Sequence, residues 1–222
     1  MIPRVIAEGR YAIVDVETTG LDRVRDEIIQ VAYGQVDLGR LGMRGVATCR
    51  PYREIQYGAQ LKHGLTAETL EGSQSFSDIA GDLYALIGSR TLLVYGNLDQ
   101  PMLQHHFKMR DRPFENTALD VLRIARRLME SGSFKLVDCA TRLGVPVLDA
   151  HDAWNDCRMT WGIFVALALK YPALGGLAPA DTIVFTEPET PAAKKAKRAI
   201  RDAAAAAFAA SPAVAMPSLD DL

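Results

Sequence analysis

Two carboxylates lie two residues apart in an apolar run near the start of the chain. Asp15 and Glu17 belong to residues 10–17, a β-branched and apolar segment that predicts a strand. Side chains two apart on a strand point to the same face of the sheet. Two buried carboxylates on one face repel each other and lose their hydration, so something cationic must compensate them. That cation is either a lysine or arginine side chain or a divalent metal ion held by oxygen ligands.

A third carboxylate, Asp99, follows a second short apolar run at residues 91–95, where a helix is predicted to begin. The simplest interpretation of Asp99 taken alone is a residue that complements the positive end of the helix dipole.

The segment 151–156 reads His-Asp-Ala-Trp-Asn-Asp. On one continuous helix His151 and Asp156 would diverge by about 140°, at about 100° per residue. They can meet in one site only if His151 precedes the helix and Asp156 lies in its first turns. Pro146, Asp149 and Asp152 support a helix start at this point. The alternative is that one of these two aspartates caps the helix and that His151 is an ordinary surface residue.

Considered together, four carboxylates and one histidine have the composition of a site that cleaves phosphodiesters. Two cations bound by oxygen ligands a few ångströms apart can activate a water and stabilise the leaving oxygen. A histidine, whose pKa lies near neutrality, can take the proton from that water.

The elements that must position these residues predict an α/β fold, with a mixed sheet and helices on both faces. Three successive strands with short connections predict an antiparallel meander. Helices then alternate with short strands, and Ser75 is the predicted N-cap of the first of these helices. The predicted strands are 10–17, 28–38, 44–50 (after a Gly-rich turn at 39–42), 91–95 and 117–120. The predicted helices are 75–88, 96–109, the segment from about 120 through Met129, 135–143 and 153–170.

Composition sets only weak limits on function. The net charge of −2 argues neither for nor against a nucleic-acid partner, because two bound divalent cations would add four positive charges. Three cysteines, Cys49, Cys139 and Cys157, form no CxxC pair and are expected to be buried thiols in a reducing compartment. The start of the chain lacks the pattern of a signal peptide, and no run predicts a membrane span. A cytoplasmic location without membrane contact is therefore expected.

The composition changes after Tyr171, which predicts two parts. Residues 1–172 are expected to form the functional domain. Residues 173–222 are expected to be a Pro-, Ala- and Lys-rich extension that is largely flexible. Within the extension, 182–186 is a candidate edge strand and 192–209 a candidate helix.

Five segments occur in an order and spacing that match one family. They are IVDVETTGL at 13–21, HGLT at 63–66, ALDVLRIARRL at 118–128, KLVDCATRLGVP at 135–146 and HDAWND at 151–156. Together they resemble the DEDD superfamily of 3′→5′ exonucleases, in its histidine-containing branch, and the epsilon proofreading subunits of bacterial DNA polymerase III in particular. The resemblance spans about residues 10–170.

The resemblance implies an RNase H-like fold and a two-metal mechanism with His151 as the general base. The residues implied to bind two Mg²⁺ or Mn²⁺ ions are Asp15, Glu17, Asp99 and Asp156. The residues implied to bind substrate are Thr18, Leu21 and His63, the first two at the terminal nucleotide. The second motif departs from the family pattern, because Tyr95 and Leu98 stand where asparagine and phenylalanine are frequent. The fit of the 3′-terminal nucleotide is therefore expected to differ.

The implied substrate is single-stranded or 3′-terminal nucleic acid, with DNA favoured over RNA. Two alternatives stay open at this stage: an exoribonuclease similar to oligoribonuclease or ribonuclease T, and a non-catalytic module that binds nucleic acid or a polymerase. The segment 187–222 is a candidate to bind a polymerase subunit or, through its basic residues near 194–201, nucleic acid.

Overall fold

One mixed five-stranded sheet organises the computed structural model, which describes residues 2–147 and 152–176. The strands are β1 (Arg10–Thr18), β2 (Ile28–Asp37), β3 (Arg40–Thr48), β4 (Thr91–Val94) and β5 (Ala118–Asp120). Their order is β3-β2-β1-β4-β5. The first three pair antiparallel, and β4 and β5 extend the sheet parallel to β1. The predicted meander and mixed sheet are confirmed, with β1 in the centre.

The helices of the described residues agree with the predictions where they are long. They are α1 (Arg4–Ala7), α2 (Tyr57–His63), α3 (Ala67–Leu70), α4 (Phe76–Ile87), α5 (Asp99–Lys108), α6 (Val121–Leu128), α7 (Leu136–Leu143), α8 (Ala153–Lys170) and α9 (Pro172–Gly175). Ser75 caps α4 in a capping box, as predicted. The sequence did not predict α1, α2, α3 and α9, because helices of four to seven residues are too short to show a periodic apolar pattern.

The turn between β2 and β3 is tighter than predicted. A turn was expected over 39–42, but β3 already begins at Arg40, which pairs with Asp37. The two residues between them, Leu38 and Gly39, have φ of 54° and 76°. Positive φ at both central residues is typical of the two-residue hairpin turn whose twist matches that of the strands.

The helix that carries Asp99 starts later than predicted. A start at residue 96 was expected, but Gly96 has φ of 118°, which no α-helix accommodates, and residues 95–98 form a bend. α5 therefore begins at Asp99 itself, with Pro101 in its first turn as predicted.

The core lies on both faces of the sheet, and alternate residues of β1 serve the two sides. Tyr11 and Ile13 pack in the cluster formed with α6, α7 and α8. Val14 packs in the opposite cluster, with α4 and α5. Because side chains alternate along a strand, Asp15 and Glu17 belong to the α8 side.

Other expectations have simple outcomes. The three cysteines are buried free thiols, as predicted. Within the described ranges, no helix combines the length and the apolar character needed to cross a bilayer. The boundary drawn between residues 172 and 173 falls within α9, and the division into two parts stays a prediction. The strand at 182–186, the helix at 192–209 and the segment 187–222 lie outside the described residues.

Candidate active site

Three of the predicted carboxylates meet where β1 ends. Asp15 and Glu17 project from β1, and Asp156 comes from the first turn of α8. One oxygen of each of these three side chains lies within 4.8 Å of the others. Strand alternation predicts that Asp15 and Glu17 share one face of the sheet, and α8 packs on that face and contributes Asp156.

The start of α8 explains how Asp156 reaches β1. Asp152 is the N-cap, and its Oδ1 accepts a hydrogen bond from the Asn155 backbone N–H at 2.9 Å. The Trp154 ring lies against Gly34 of β2, where an added Cβ would come within 3.0 Å of the ring. The capping role considered for Asp152 and the site role of Asp156 are thus compatible.

Asp99 lies beside this cluster. It is only 5% exposed, and its Oδ1 accepts a hydrogen bond from the backbone N–H of Val16 at 3.0 Å. Its negative charge raises the pKa of both Asp15 and Glu17. Asp99 is therefore more than a helix-dipole residue, because it joins the start of α5 to the strand that carries the other carboxylates.

Burial and mutual repulsion raise the pKa values of these groups. The pKa of Asp15 is raised well above its usual range, first by burial and then by Asp99, Glu17 and Asp156. Burial is also the largest cause that raises the pKa of Glu17 to about 7, and the nearby positive charge of Lys62 opposes it only in part. Burial raises the pKa of Asp99 to about 7 as well, despite its backbone hydrogen bonds.

Three of these carboxylates, Asp15, Glu17 and Asp99, form no salt bridge within the part of the chain that the structure describes. Among the described residues, the salt bridges involve Glu8, Asp22 and Asp37, and none involves Asp15, Glu17 or Asp99. Clustered carboxylate oxygens are the ligands that Mg²⁺ and Mn²⁺ prefer. Of the two alternatives for the Asp15–Glu17 pair, the donor set therefore fits divalent cations.

The predicted substrate-binding residues surround the end of β1: Thr18 is its last residue, Leu21 follows in the next loop, and His63 of α2 contacts Thr18. The Nδ1 atom of His63 accepts from the Leu65 N–H at 3.1 Å, so its Nε2 carries the proton that faces the Thr18 carbonyl oxygen at 3.3 Å. The Thr18 hydroxyl donates to the Gly20 carbonyl at 2.6 Å, while Leu21 is 68% exposed. His63 thus donates a hydrogen bond to the Thr18 backbone. Contact of Thr18, Leu21 and His63 with substrate stays a prediction.

The HGLT segment has a local structural reason. His63 ends α2, and Gly64 is its left-handed C-cap with φ of 69°. Thr66 is the N-cap of α3 and forms a capping box with Thr69. The motif therefore ends one short helix, begins the next and places His63 against the end of β1.

His151 lies outside the described residues, as does Asp149. Its predicted role as general base stays a prediction.

Sequence reasoning missed Asp120, the last residue of β5. Its Oδ1 accepts from the Gly96 N–H at 3.0 Å, and its side chain caps α6. Its charge contributes to the raised pKa of Asp99. The available signal was its position at the junction between a short strand and a helix, which is similar to the position predicted for Asp99.

Tyr95 and Leu98, the positions where the second motif departs from the family pattern, both turn toward the protein interior. The Tyr95 hydroxyl donates to the Phe134 carbonyl at 2.9 Å, which ties the bend after β4 to the segment before α7. Leu98 packs against the cluster on the α4 and α5 side of the sheet.

We expect the metal-free protein to lose stability as the pH rises from 5 to 8. Glu17 and Asp99 have pKa values of about 7 when folded and about 4 when unfolded. The folded state therefore binds more protons between these values, and its stability falls across that window as the pH rises. The lowered pKa of buried His106 acts in the opposite direction. Melting temperatures in EDTA should thus fall by several degrees, and Mn²⁺ at pH 8 should restore them.

The matched variant for this measurement is Glu17→Gln, which retains the His106 contribution and removes that of Glu17. It should show a smaller fall between pH 5 and pH 8. An equal fall in both proteins would contradict the assignment of the effect to these carboxylates.

Comparison with known proteins gives consistent matches. The RNase T family model, described as Exonuclease, matches residues 12–164. The DNA polymerase III PolC-type protein of Thermotoga petrophila is 26% identical over 167 residues, which are 74% of this chain and 12% of that protein. The DNA polymerase III subunit epsilon of Aquifex aeolicus is 23% identical over 167 residues, which are 73% of this chain and 82% of that protein.

Solved structures agree on the fold. The zinc ion-bound crystal structure of the E. coli ExoI–ssDNA complex aligns with a TM-score of 0.67 at 22% identity, over 75% of this chain and 42% of that chain. The apo form of Exonuclease I has the same TM-score at 20% identity, over 76% of this chain and 44% of that chain. The chain thus spans less than half of these structures and a small part of the PolC-type relatives. The predicted RNase H-like α/β fold is confirmed.

Proposed function

The chain belongs to the DEDD exonuclease family, and from that premise we propose that it is a metal-dependent enzyme that hydrolyses phosphodiester bonds from the 3′ end of DNA. The observation that carries this proposal is the convergence of Asp15, Glu17 and Asp156, whose oxygens lie within 4.8 Å of one another. A family match alone would also be compatible with a domain that had lost its activity. A retained cluster of carboxylates with raised pKa values favours catalysis.

The donor set defines which residues would hold the cations. Asp15, Glu17 and Asp156, together with Asp99 as the fourth carboxylate, would hold two Mg²⁺ or Mn²⁺ ions. Divalent cations bound there would supply the positive charge that activates a water and stabilises the leaving oxygen. His151 would accept the proton of the attacking water. Thr18, Leu21 and His63 would position the terminal nucleotide.

The choice of DNA rests on the relatives. Those named above are DNA polymerase III proteins, and one structural neighbour is bound to ssDNA. We therefore propose a proofreading-like activity on DNA 3′ ends in the bacterial cytoplasm. A polymerase subunit is the proposed partner of residues 187–222.

The test compares three substrates, each with Mg²⁺ or Mn²⁺ and with EDTA: single-stranded DNA, duplex DNA with a 3′ mismatch, and an RNA oligomer of the same sequence. The expected result is metal-dependent release of mononucleotides from the 3′ ends of the DNA substrates, with slower release from RNA. Faster release from RNA would contradict the DNA assignment. Binding of the oligomers without release from any of them would contradict the enzyme itself and favour a non-catalytic module.

A further inference from the structure

Asp26 is a buried carboxylate outside the metal-binding cluster, near the end of the loop between β1 and β2. It is 6% exposed. Its Oδ1 accepts from the Thr19 hydroxyl at 3.0 Å, and its Oδ2 accepts from the Asp22 N–H at 2.8 Å. The Gln56 side-chain amide donates to both oxygens at 3.1 and 3.2 Å. One side chain thus binds two points of its own loop and the residue that precedes α2.

The backbone around Thr19 completes this arrangement. The N–H of Thr19 donates to the Glu27 carbonyl at 2.9 Å, and the Glu27 N–H donates to the Thr19 hydroxyl at the same distance. The Gln56 N–H donates to the Thr19 carbonyl at 2.8 Å. A Cβ at Gly20 would overlap both Gln56 and Asp26. Hydrogen bonds within the loop and to Gln56 therefore restrain the backbone of the loop that starts directly after Thr18.

The same residue contacts α5. The ring of His106 donates from Nε2 to the Asp26 carbonyl oxygen at 3.1 Å, and this ring is buried edge-on against Phe76. At the outer part of the loop, Arg23 donates to the Asn97 carbonyl at 2.8 Å, two residues before α5 begins. Asp26 therefore joins the loop after β1 to the residue that precedes α2 and to α5, the helix that begins at Asp99.

The apolar side chains in the outer part of this loop do not pack into the hydrophobic core. Leu21 and Val24 are each 68% exposed, so the network fixes a loop whose apolar side chains point into solvent. A loop that begins directly after the strand carrying Asp15 and Glu17, is held rigid at its base and has exposed apolar side chains is suited to bind a ligand, because little conformational entropy is lost on binding.

We propose that Asp26 is a positioning residue for substrate: its carboxylate holds the segment from Thr18 to Leu21 in the conformation that receives the 3′-terminal nucleotide. This inference rests on the proposed function. It differs from a purely structural role, because a structural carboxylate would affect the amount of folded protein and not the affinity of that folded protein for a 3′ end.

The test is Asp26→Asn, which retains the size of the side chain. One of its two polar atoms becomes a donor, which must face the Asp22 N–H or the donor groups of Thr19 and Gln56. We expect KM for a single-stranded DNA oligomer to rise about tenfold, because charge-assisted hydrogen bonds that order the loop are lost. We expect kcat to stay within about threefold and the Mn²⁺ concentration for half-maximal activity to stay unchanged, since the carboxylate ligands are untouched.

The matched control is Asp37→Asn at the far end of β2. Asp37 also accepts hydrogen bonds from two side chains, those of Arg10 and Arg90. This variant should be less stable than the wild type and should have an unchanged KM. If Asp26→Asn behaves like Asp37→Asn, with lower melting temperature and unchanged KM, the proposal is overturned.

A second variant and a binding assay test the role of Asp26 independently of the folding of Asp26→Asn and of catalytic turnover. If Asp26→Asn does not fold, Gln56→Met removes the partner donor with little change in volume and should raise KM in the same way. The dissociation constant for the oligomer, measured by fluorescence anisotropy in an Asp15→Asn background, should rise about tenfold on adding Asp26→Asn. This binding assay needs no turnover, so an inactive wild type would contradict the proposed function while an unchanged dissociation constant would contradict the role of Asp26.

Discussion

Asp15→Asn is expected to lower the rate of 3′ mononucleotide release by about 10³-fold or more, because loss of a proposed cation ligand removes several kcal/mol of transition-state stabilisation. The same change is expected to stabilise the metal-free protein at pH 8. Asp15 is partly buried beside three other carboxylates, and its ionised form is disfavoured by burial and by their charges. A neutral amide of the same shape removes that repulsion. Activity and metal-free stability should therefore change in opposite directions.

The measurement combines a gel assay of single-stranded DNA degradation with thermal unfolding in EDTA at pH 8. Asp82→Asn, an exposed position on α4, is the matched control and should change neither quantity. A variant that retains more than a tenth of the wild-type rate would contradict the role of Asp15 as a cation ligand. A melting temperature of Asp15→Asn in EDTA below that of the wild type would contradict the expected relief of charge repulsion at Asp15.

His151→Ala is expected to lower kcat by about 10²- to 10⁴-fold, the range typical of a lost general base. The fold and the affinity for Mn²⁺ should be retained, because His151 is not among the proposed metal ligands. The chain has four histidines, so replacing another of them can serve as a control for His151→Ala. His63 and His106 hold backbone carbonyls, so their replacement would disturb loops as well as chemistry.

His105→Ala is the better control for this prediction, because His105 lies on α5 and packs edge-on against His106 without a predicted role in the site. Single-turnover rates with Mg²⁺ between pH 6 and pH 9 separate the chemical step from product release. The wild-type rate should depend on a group that titrates near neutrality, and His151→Ala should lose that dependence. An unchanged rate in His151→Ala would remove this residue from its assigned role.

Much of the fold follows from local patterns. Alternation along residues 10–17 placed Asp15 and Glu17 on one face, and the two clusters that β1 separates confirm this alternation. The bounds of α8 agree with the helix predicted over 153–170, because Asp152 supplies an N-cap and a long apolar run follows. These features depend on neighbours within a few residues, so the sequence alone contains the information that determines them.

The element bounds that were predicted wrongly from the sequence share a physical cause. The late start of α5 depends on the left-handed conformation of Gly96, whose N–H bonds to Asp120 on another strand. The early start of β3 depends on a turn that places Leu38 at positive φ, which its residue type does not favour. In both cases a tertiary contact or strand pairing overrides the local preference.

By itself the sequence determined the residue types of the site, the strand that carries two of its carboxylates and, through the order of its motifs, the family. Only the tertiary structure decided that Asp156 meets Asp15 and Glu17, that Asp99 binds the Val16 N–H, and that Asp26 binds the Gln56 side chain. The reason is distance along the chain: the Asp99–Val16 hydrogen bond spans 83 residues. Periodicity describes which face of an element a side chain occupies, whereas the meeting of two elements depends on the packing of the whole sheet between its helices.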